Sequence, residues 1–123
     1  PAGARPQSIA VNARGLLVGT TQGLYRSRDG KQWSAAGSGQ LATGLVRPIS
    51  VDPRQGDRVF AVIAQSIFKS TDGGVSWTGL KSPSGNLPIL SLALGEKNVL
   101  YAGTARGVWR SGDEGASWQP LPE

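Results

Sequence analysis

Residues 70–77 read Ser-Thr-Asp-Gly-Gly-Val-Ser-Trp, and residues 111–118 read Ser-Gly-Asp-Glu-Gly-Ala-Ser-Trp. A shorter copy at residues 27–33, Ser-Arg-Asp-Gly-Lys-Gln-Trp, has Gln32 where the other copies have serine. We call these copies the first, second and third acidic turns, in chain order. Each follows an aromatic and a basic residue, and the aspartate recurs at intervals of 43 and 41 residues. Such a recurrence indicates an internal structural repeat.

The segments around the acidic turns predict short strands. Each unit opens with a proline-led segment, and β-rich runs between glycines follow it before the turn. A repeat of about 40 to 45 residues with four antiparallel strands is typical of a propeller blade. We therefore predict an all-β fold of three four-stranded antiparallel blades, with the acidic turns between the third and fourth strands, C and D. The predicted blades are residues 5–46, 47–86 and 87–123, and the predicted opening strands are 5–11, 47–51 and 87–92.

The side-chain inventory excludes much chemistry. The chain has no Cys and no His, so disulfides, thiolate nucleophiles and the usual zinc sites are excluded. Its formal charge of +5 would favour acidic partners, but the basic residues are scattered and no nucleic-acid-binding motif is present. A nucleic-acid partner is therefore not expected. No apolar run approaches the roughly 20 residues of a membrane span, so no membrane-spanning segment is expected.

The pattern Ser-x-Asp-x-Gly-x-Ser/Thr-Trp resembles the Asp-box, also called the bacterial neuraminidase or BNR repeat. Sialidases, sortilin-type receptors, several glycosidases and photosystem II assembly factors carry it. The segments before the turns, such as Gly-Val-Trp-Arg-Ser, are most similar to the assembly-factor and sortilin-type propellers. The resemblance implies a β-propeller and an extracytoplasmic scaffold, whether periplasmic, lumenal or secreted. The Asp-box residues are Ser27, Asp29, Gly30, Trp33, Ser70, Asp72, Gly74, Trp77, Ser111, Asp113, Gly115 and Trp118.

We interpret the acidic turns as stabilising devices. The aspartate can accept hydrogen bonds from turn N–H groups, the glycine adopts positive φ, and the tryptophan covers its hairpin. Calcium usually gathers several oxygens, whereas each turn supplies one carboxylate, so no metal site is predicted. Because the first turn is one residue shorter, we expect it to be distorted.

Catalytic residues are not expected. The sialidase resemblance would require an arginine triad, an acid/base and a tyrosine supported by a glutamate. Here Tyr25 and Tyr101 occupy repeat positions, while Glu96, Glu114 and Glu123 fall in turns or the tail. A glycosidase needs two carboxylates about 5 to 10 Å apart across a cleft, and one aspartate per blade does not provide them. Since neither set of catalytic residues is present in the sequence, we predict that the protein is not an enzyme and uses no cofactor.

The two positions before each motif serine recur as two columns of residues, a basic residue next to the serine and an aromatic residue before it. Arg26, Lys69 and Arg110 form a basic column that could bind an acidic partner, or whose stems could simply cover neighbouring strands. The aromatic column could form core between blades or, as in lectins, stack on sugars. It comprises Tyr25, Phe68 and Trp109.

Three blades raise the question of closure. A propeller typically closes with 4 to 8 blades, so an arc of three exposes two apolar faces. We expect either two chains to complete a six-bladed ring or the arc to dock on a larger complex. The loops at 35–44 and 79–86 are further candidate binding surface, or mobile connectors. The predicted function is a protein-binding or assembly scaffold; the alternatives are a glycan-binding lectin and, remotely, a fragment of a glycosidase.

Overall fold

The computed structural model describes residues 5–12, 15–36, 44–52, 54–83 and 87–122. These residues form three four-stranded antiparallel sheets, which confirms the all-β prediction. No helix within these ranges is long and apolar enough to cross a membrane. The strands are β1 (Pro6–Asn12), β2 (Gly15–Thr20), β3 (Gly23–Ser27), β4 (Ser34–Ala35), β5 (Ile49–Asp52), β6 (Gln55–Ile63), β7 (Ser66–Ser70), β8 (Thr78–Leu80), β9 (Ser91–Leu94), β10 (Leu100–Thr104), β11 (Gly107–Ser111) and β12 (Gln119–Pro120).

Each sheet is a meander in chain order. Strands β1 to β4 form blade 1, β5 to β8 form blade 2 and β9 to β12 form blade 3. Each acidic turn joins the third strand of its blade to the fourth, as predicted. Neighbouring blades meet at their first strands, because β5 contacts both β1 and β9. The three sheets therefore stand side by side in chain order.

The opening strands begin later than predicted in two blades. Pro6 is the first residue of β1, but β5 begins at Ile49 and β9 at Ser91. The segment ahead of β9 bonds to the preceding blade, since the Ile89 N–H donates to the Ala64 carbonyl at 2.7 Å. The Val46 N–H likewise donates to the Thr20 carbonyl of blade 1 at 3.0 Å, whereas the next N–H groups, those of Arg47 and Leu90, already donate to carbonyls of their own blades. The chain therefore crosses from one blade to the next within the proline-led segments.

The central strand β6 supplies core residues on both of its faces. Val59 and Ala61 belong to the apolar cluster between blades 1 and 2, while Phe60 and Val62 belong to the cluster between blades 2 and 3. All four side chains are fully buried, as the two-residue period of a strand covered on both faces requires. Burying one such large side chain contributes about 1.5 to 3 kcal/mol. Hydrophobic packing across these two junctions therefore holds the blades together.

Candidate functional site

Each acidic turn is organised around its serine, which is buried in all three blades. In the second turn the Ser70 hydroxyl donates to Asp72 Oδ1 at 2.7 Å and accepts from the Gly74 N–H at 2.9 Å. Ser27 and Ser111 make the corresponding bonds in the first and third turns. The hydrogen-bonding capacity of each serine is therefore used inside its own turn.

The aspartate accepts hydrogen bonds from the far side of the turn. Asp72 Oδ1 accepts from the N–H groups of Val75 and Ser76 at 3.1 and 2.9 Å, and Oδ2 accepts from the Ser76 hydroxyl. The Ser76 bonds hold the pKa of Asp72 well below its usual range. In the third turn the Ser117 hydroxyl and N–H donate in the same way and lower the pKa of Asp113 to about 2. Both carboxylates are ionised near neutral pH and engaged within their turns.

The shortened first turn keeps the main-chain part of this scheme. Asp29 Oδ1 accepts from the N–H groups of Gln32 and Lys31 at 3.0 and 2.9 Å, and these two bonds lower the pKa of Asp29. Gln32 has no hydroxyl, so the bond to Oδ2 made by serine in the other turns has no counterpart here. The difference from the other turns is thus one missing residue and one missing side-chain bond.

The tryptophans of the second and third acidic turns bond to the preceding blade. The Trp77 indole N–H donates to the Gly74 carbonyl at 3.1 Å and to the Ala36 carbonyl of blade 1 at 3.2 Å. The Trp118 indole donates to the Lys81 carbonyl of blade 2 at 2.9 Å. Sequence reasoning placed these rings over their own hairpins and missed this contact between blades, because the acceptors lie about 40 residues away along the chain.

The glycines of the second and third turns also lie at the blade junctions. Gly74 adopts φ of +99°, and a Cβ built there would lie 2.9 Å from Leu17 Cδ2 of blade 1. Gly115, with φ of +89°, would place a Cβ 3.0 Å from Leu80 Cδ1 of blade 2. Glycine is therefore favoured at both positions by its backbone conformation and by close packing against the preceding blade.

An ion-pair network joins blades 2 and 3 beside the third turn. Glu114 accepts from Arg58 Nη2 at 2.7 Å and from the Lys69 ammonium, and Arg58 Nη1 bonds to Asp52 Oδ2 at 2.8 Å. Arg54 extends the network from Asp52 to the Gly95 carbonyl of blade 3. Arg58 and Asp52 are buried at the centre of the network, whereas Glu114 and Lys69 are partly exposed and Arg54 is about half exposed. Sequence analysis did not predict it, because its members come from different turns and strands.

Both carboxylates of this network are held ionised by their partners. Burial works to raise the pKa of Asp52, but hydrogen bonds from the Arg54 N–H and the Arg58 guanidinium outweigh it, and the pKa falls below its ordinary value. Burial likewise opposes ionisation of Glu114, and the bonds from Lys69 and Arg58 again lower the pKa. The network therefore carries paired charges at neutral pH.

The three members of the basic column have different surroundings. They pair with equivalent residues of the second strands, and Lys69 is bound to Glu114 at the junction of blades 2 and 3. Arg26 and Arg110 are exposed, and no hydrogen bond or ion pair of their guanidinium groups occurs within the described part of the chain. The column therefore does not converge on one site: one member is engaged and two are available.

Beside Arg26 lies a cavity of about 750 Å³ between the first and second acidic turns. Its lining includes Gly15, Arg28, Asp29 and Gly73. The aromatic column lies elsewhere in the blades: Phe68 packs against the core between blades 1 and 2, whereas the Tyr25 and Trp109 side chains are half-buried. The basic and aromatic columns thus do not combine into one pocket.

The outer faces of blades 1 and 3 expose apolar side chains. Ile9 and Val11 of β1 are 65% and 68% exposed, and Trp33 of the first turn is 39% exposed. Ile9 and Trp33 line a shallow depression of about 580 Å³. On blade 3, Val108 and Leu121 are large apolar side chains left open to solvent. A clustered apolar surface of this kind marks an interaction site more often than an inert face.

Parts of the two predicted loops, and Glu123, fall outside the described residues. The loops at 35–44 and 79–86 include residues 37–43 and 84–86, which the structure does not describe, and Glu123 is also outside it. Among the described residues, no group of three Asp or Glu side chains is placed to hold a metal ion.

Comparison with known proteins gives structural matches only. No protein-family model and no curated protein matches the sequence. YCF48 from Cyanidioschyzon merolae matches with a TM-score of 0.76 at 22% identity, over 98% of this chain and 38% of that chain. YCF48 bound to D1 peptide matches with a TM-score of 0.71 at 25% identity, over 98% and 42% of the two chains. A GH74 enzyme from Niastella koreensis matches with a TM-score of 0.75 at 21% identity, over 98% and 22%.

These neighbours are β-propellers, and the predicted blade architecture is confirmed. The chain is an arc of a β-propeller composed of three four-stranded blades. It spans less than half the length of each of the three matched chains. Enzymes and a protein bound to a peptide share this architecture, so the fold alone does not define activity.

Proposed function

We propose that this protein is a non-catalytic scaffold that binds other protein chains, and that two copies join through the outer faces of blades 1 and 3. One observation carries the proposal: these faces present the two halves of a junction that the chain builds twice internally. In each internal junction the following blade supplies the tryptophan and glycine of its acidic turn. The preceding blade supplies a leucine side chain and a main-chain carbonyl.

Blade 1 presents the half that a following blade supplies. Gly30 and Trp33 of the first turn occupy the positions of Gly115 and Trp118, and both line the depression on the outer face. Ile9 and the other apolar side chains of this face surround them. The Trp33 indole therefore lies where it could donate to a carbonyl of another blade.

Blade 3 presents the half that a preceding blade supplies. The pairing of its last two strands puts Leu121 in register with Leu80, the residue on which Gly115 packs. Tyr101 is in register with Phe60, which fills the core between blades 2 and 3. Joining the two kinds of face twice, head to tail, gives a closed ring of six blades, within the usual range of propellers.

The state of five described carboxyl groups favours a non-catalytic role. Every described carboxyl whose pKa is displaced has it lowered: Asp29, Asp52, Asp72, Asp113 and Glu114. A glycosidase needs one carboxyl group kept protonated as the general acid, which requires a raised pKa. The likeness to GH74 enzymes is close to 20% in identity and extends to the fold.

Binding of a protein partner is supported by the likeness to YCF48 bound to D1 peptide. Glycan binding is the second candidate, since half-buried Tyr25 lies in the outer depression of blade 1. Binding of the wild-type chain to a glycan on an array, with loss of that binding in Tyr25→Ala, would favour this second candidate. We also propose an extracytoplasmic location, supported by the Asp-box resemblance, and cell fractionation with a tagged full-length protein tests it.

The mass of the 123-residue chain in solution, measured by light scattering with size exclusion, tests the self-association. We expect a mass near twice the 12.8 kDa of one chain. Val11→Lys places a charge on the outer face of blade 1 and should give a monomer, because burying an unpaired charge is costly. Val75→Lys is the matched control, since Val75 is exposed in the second turn of the central blade.

A mixture of two variants tests the head-to-tail arrangement. Val108→Lys blocks the outer face of blade 3 and should also give a monomer. Mixing it with Val11→Lys leaves one intact pair of faces, so the mixture should form a heterodimer while each variant alone does not. A monomeric wild-type chain, or a dimer insensitive to both substitutions, would overturn the proposal.

A further inference from the structure

The two blade junctions differ beside their acidic turns. At the junction of blades 2 and 3, Glu114 lies between two cations, Arg58 and Lys69, with the Arg58 bond 2.7 Å long. The carboxylate and its two partners bridge blades 2 and 3 beside the third turn. At this junction the packing of the blades thus brings one carboxylate of the following blade against two cations of the preceding blade.

At the junction of blades 1 and 2 the equivalent positions carry only one of these groups. Arg26 takes the place of Lys69, because both pair with the second strand immediately before the motif serine. Gly73 stands where the third turn has Glu114, three residues after the serine, and Gly15 stands where β6 has Arg58. One cation is kept, while the carboxylate and the second arginine are replaced by glycines.

Both glycines line the cavity of about 750 Å³. Arg28 supplies a second cation there: a Cβ on Gly15 would lie 2.9 Å from the Arg28 Cα. Neither arginine makes a hydrogen bond or ion pair within the described residues. The facing carboxylate of Asp29 accepts from its own turn.

We propose that this cavity, named here the carboxylate groove, binds an acidic side chain from an extended segment of a protein partner. The incoming carboxylate takes the place that Glu114 has at the other junction. Arg26 and Arg28 then donate charge-assisted hydrogen bonds to it, with the planar forks that suit a carboxylate. Gln32 and Ser34 also line the groove and can bond to the main chain of the segment.

The internal precedent favours a carboxylate over a phosphate. The group found at the equivalent position is a glutamate of this chain, and Asp29 on the wall would repel a doubly charged phosphate more than a carboxylate. The groove lies at the internal junction of blades 1 and 2, so it is distinct from the outer faces through which we propose self-association. Binding at the groove and self-association through the outer faces can therefore be tested independently.

Fluorescence anisotropy with a labelled hexapeptide that carries two adjacent glutamates tests the groove at low salt. A peptide with glutamines in their place is the ligand control and should bind at least about tenfold more weakly, since charge-assisted bonds are the strong ones. Arg26→Met should weaken binding of the glutamate peptide about tenfold, whereas Arg106→Met, which removes an exposed charge on blade 3, should change it less than about twofold.

Gly73→Glu is the sharpest variant because it supplies the carboxylate from within the chain. Glu114 has φ of +61° and Gly73 has φ of +75°, so this turn position already accommodates a glutamate in the third turn. The variant should bind the glutamate peptide at least about tenfold more weakly, with its outer faces and its solution mass unchanged. Circular dichroism and urea unfolding verify that each variant is folded; if Gly73→Glu fails to fold, Arg26→Met and the glutamine peptide still decide.

Three outcomes would overturn the proposal. The first is equal binding of the glutamate and glutamine peptides. The second is equal weakening by Arg26→Met and Arg106→Met, which would show attraction to net charge alone. The third is tighter binding of a short single-stranded oligonucleotide that is equally sensitive to Arg26→Met, which would assign the groove to phosphate.

Discussion

Replacing Glu114 by glutamine should loosen the junction between blades 2 and 3. The substitution keeps the size of the side chain and removes the charge that Arg58 and Lys69 share. Arg58 is buried and keeps Asp52 as a partner, so it loses one of its two carboxylates. Lys69 loses its ion-pair partner and is left near the surface of the junction. The effect should therefore appear in the free energy of unfolding and leave the fold unchanged.

The magnitude follows from the number and burial of the bonds. A hydrogen bond to a charged group contributes about 1.5 to 3 kcal/mol, and Glu114 accepts two of them. The side chain of Glu114 remains partly exposed, so solvent screening reduces this sum. The glutamine oxygen can also still accept one bond. We expect a loss of about 2 kcal/mol, which at a typical slope corresponds to a fall of about 1 M in the urea midpoint.

Equilibrium urea unfolding at pH 7, followed by tryptophan fluorescence and circular dichroism, measures this loss. Glu96→Gln is the matched control, because Glu96 is exposed and makes no ion pair within the described part of the chain. A double-mutant cycle with Lys69→Met should give a coupling energy of at least about 0.5 kcal/mol. If Glu114→Gln and Glu96→Gln unfold within about 0.5 kcal/mol of each other, the ion pair does not hold the blades together and the reasoning is refuted.

Three further predictions concern the acidic turns and their tryptophans. The turn lowers the pKa of Asp113 from its ordinary value near 3.8 to about 2 in the folded chain, so ionised Asp113 stabilises the fold fully above pH 3.8. This stabilisation should fade as the pH falls toward 2. Acid titration followed by circular dichroism measures the effect, with Asp113→Asn as the control. Gly74→Ala should destabilise more than Gly107→Ala in thermal melts, because both positions have positive φ but only the first meets a neighbouring blade; equal losses would contradict the close packing. Trp77→Ala should cost about 3 to 5 kcal/mol in urea unfolding. Trp33→Ala, on the exposed outer face, should cost less and should instead weaken dimerisation in sedimentation experiments; the reverse order would contradict the assigned roles.

Much of the fold could be predicted from local sequence. The acidic turns are closed by bonds between residues no more than four positions apart, such as those of Ser70 with Asp72 and Gly74. The identities of these residues therefore specify the turn wherever the motif occurs. The repeat interval then predicts the number of strands per blade, and the two-residue alternation of β6 gives the two buried faces. The late start of β5 and β9 was missed because the chain crosses from one blade to the next just before them, where Val46 and Ile89 donate to carbonyls of the preceding blade.

The sequence by itself therefore determined the three meanders and their turns, since these depend on contacts between residues close along the chain. Only the tertiary structure decided what happens between blades. Arg58 and Glu114 are 56 residues apart, and their pairing engages Lys69 of the basic column while Arg26 stays exposed beside a cavity. The three basic residues look alike in the repeat. They differ because Arg26 faces blade 2 and Lys69 faces blade 3, whereas Arg110 lies on the outer face of blade 3. The positions of the blades are set by burial of apolar side chains across the two junctions.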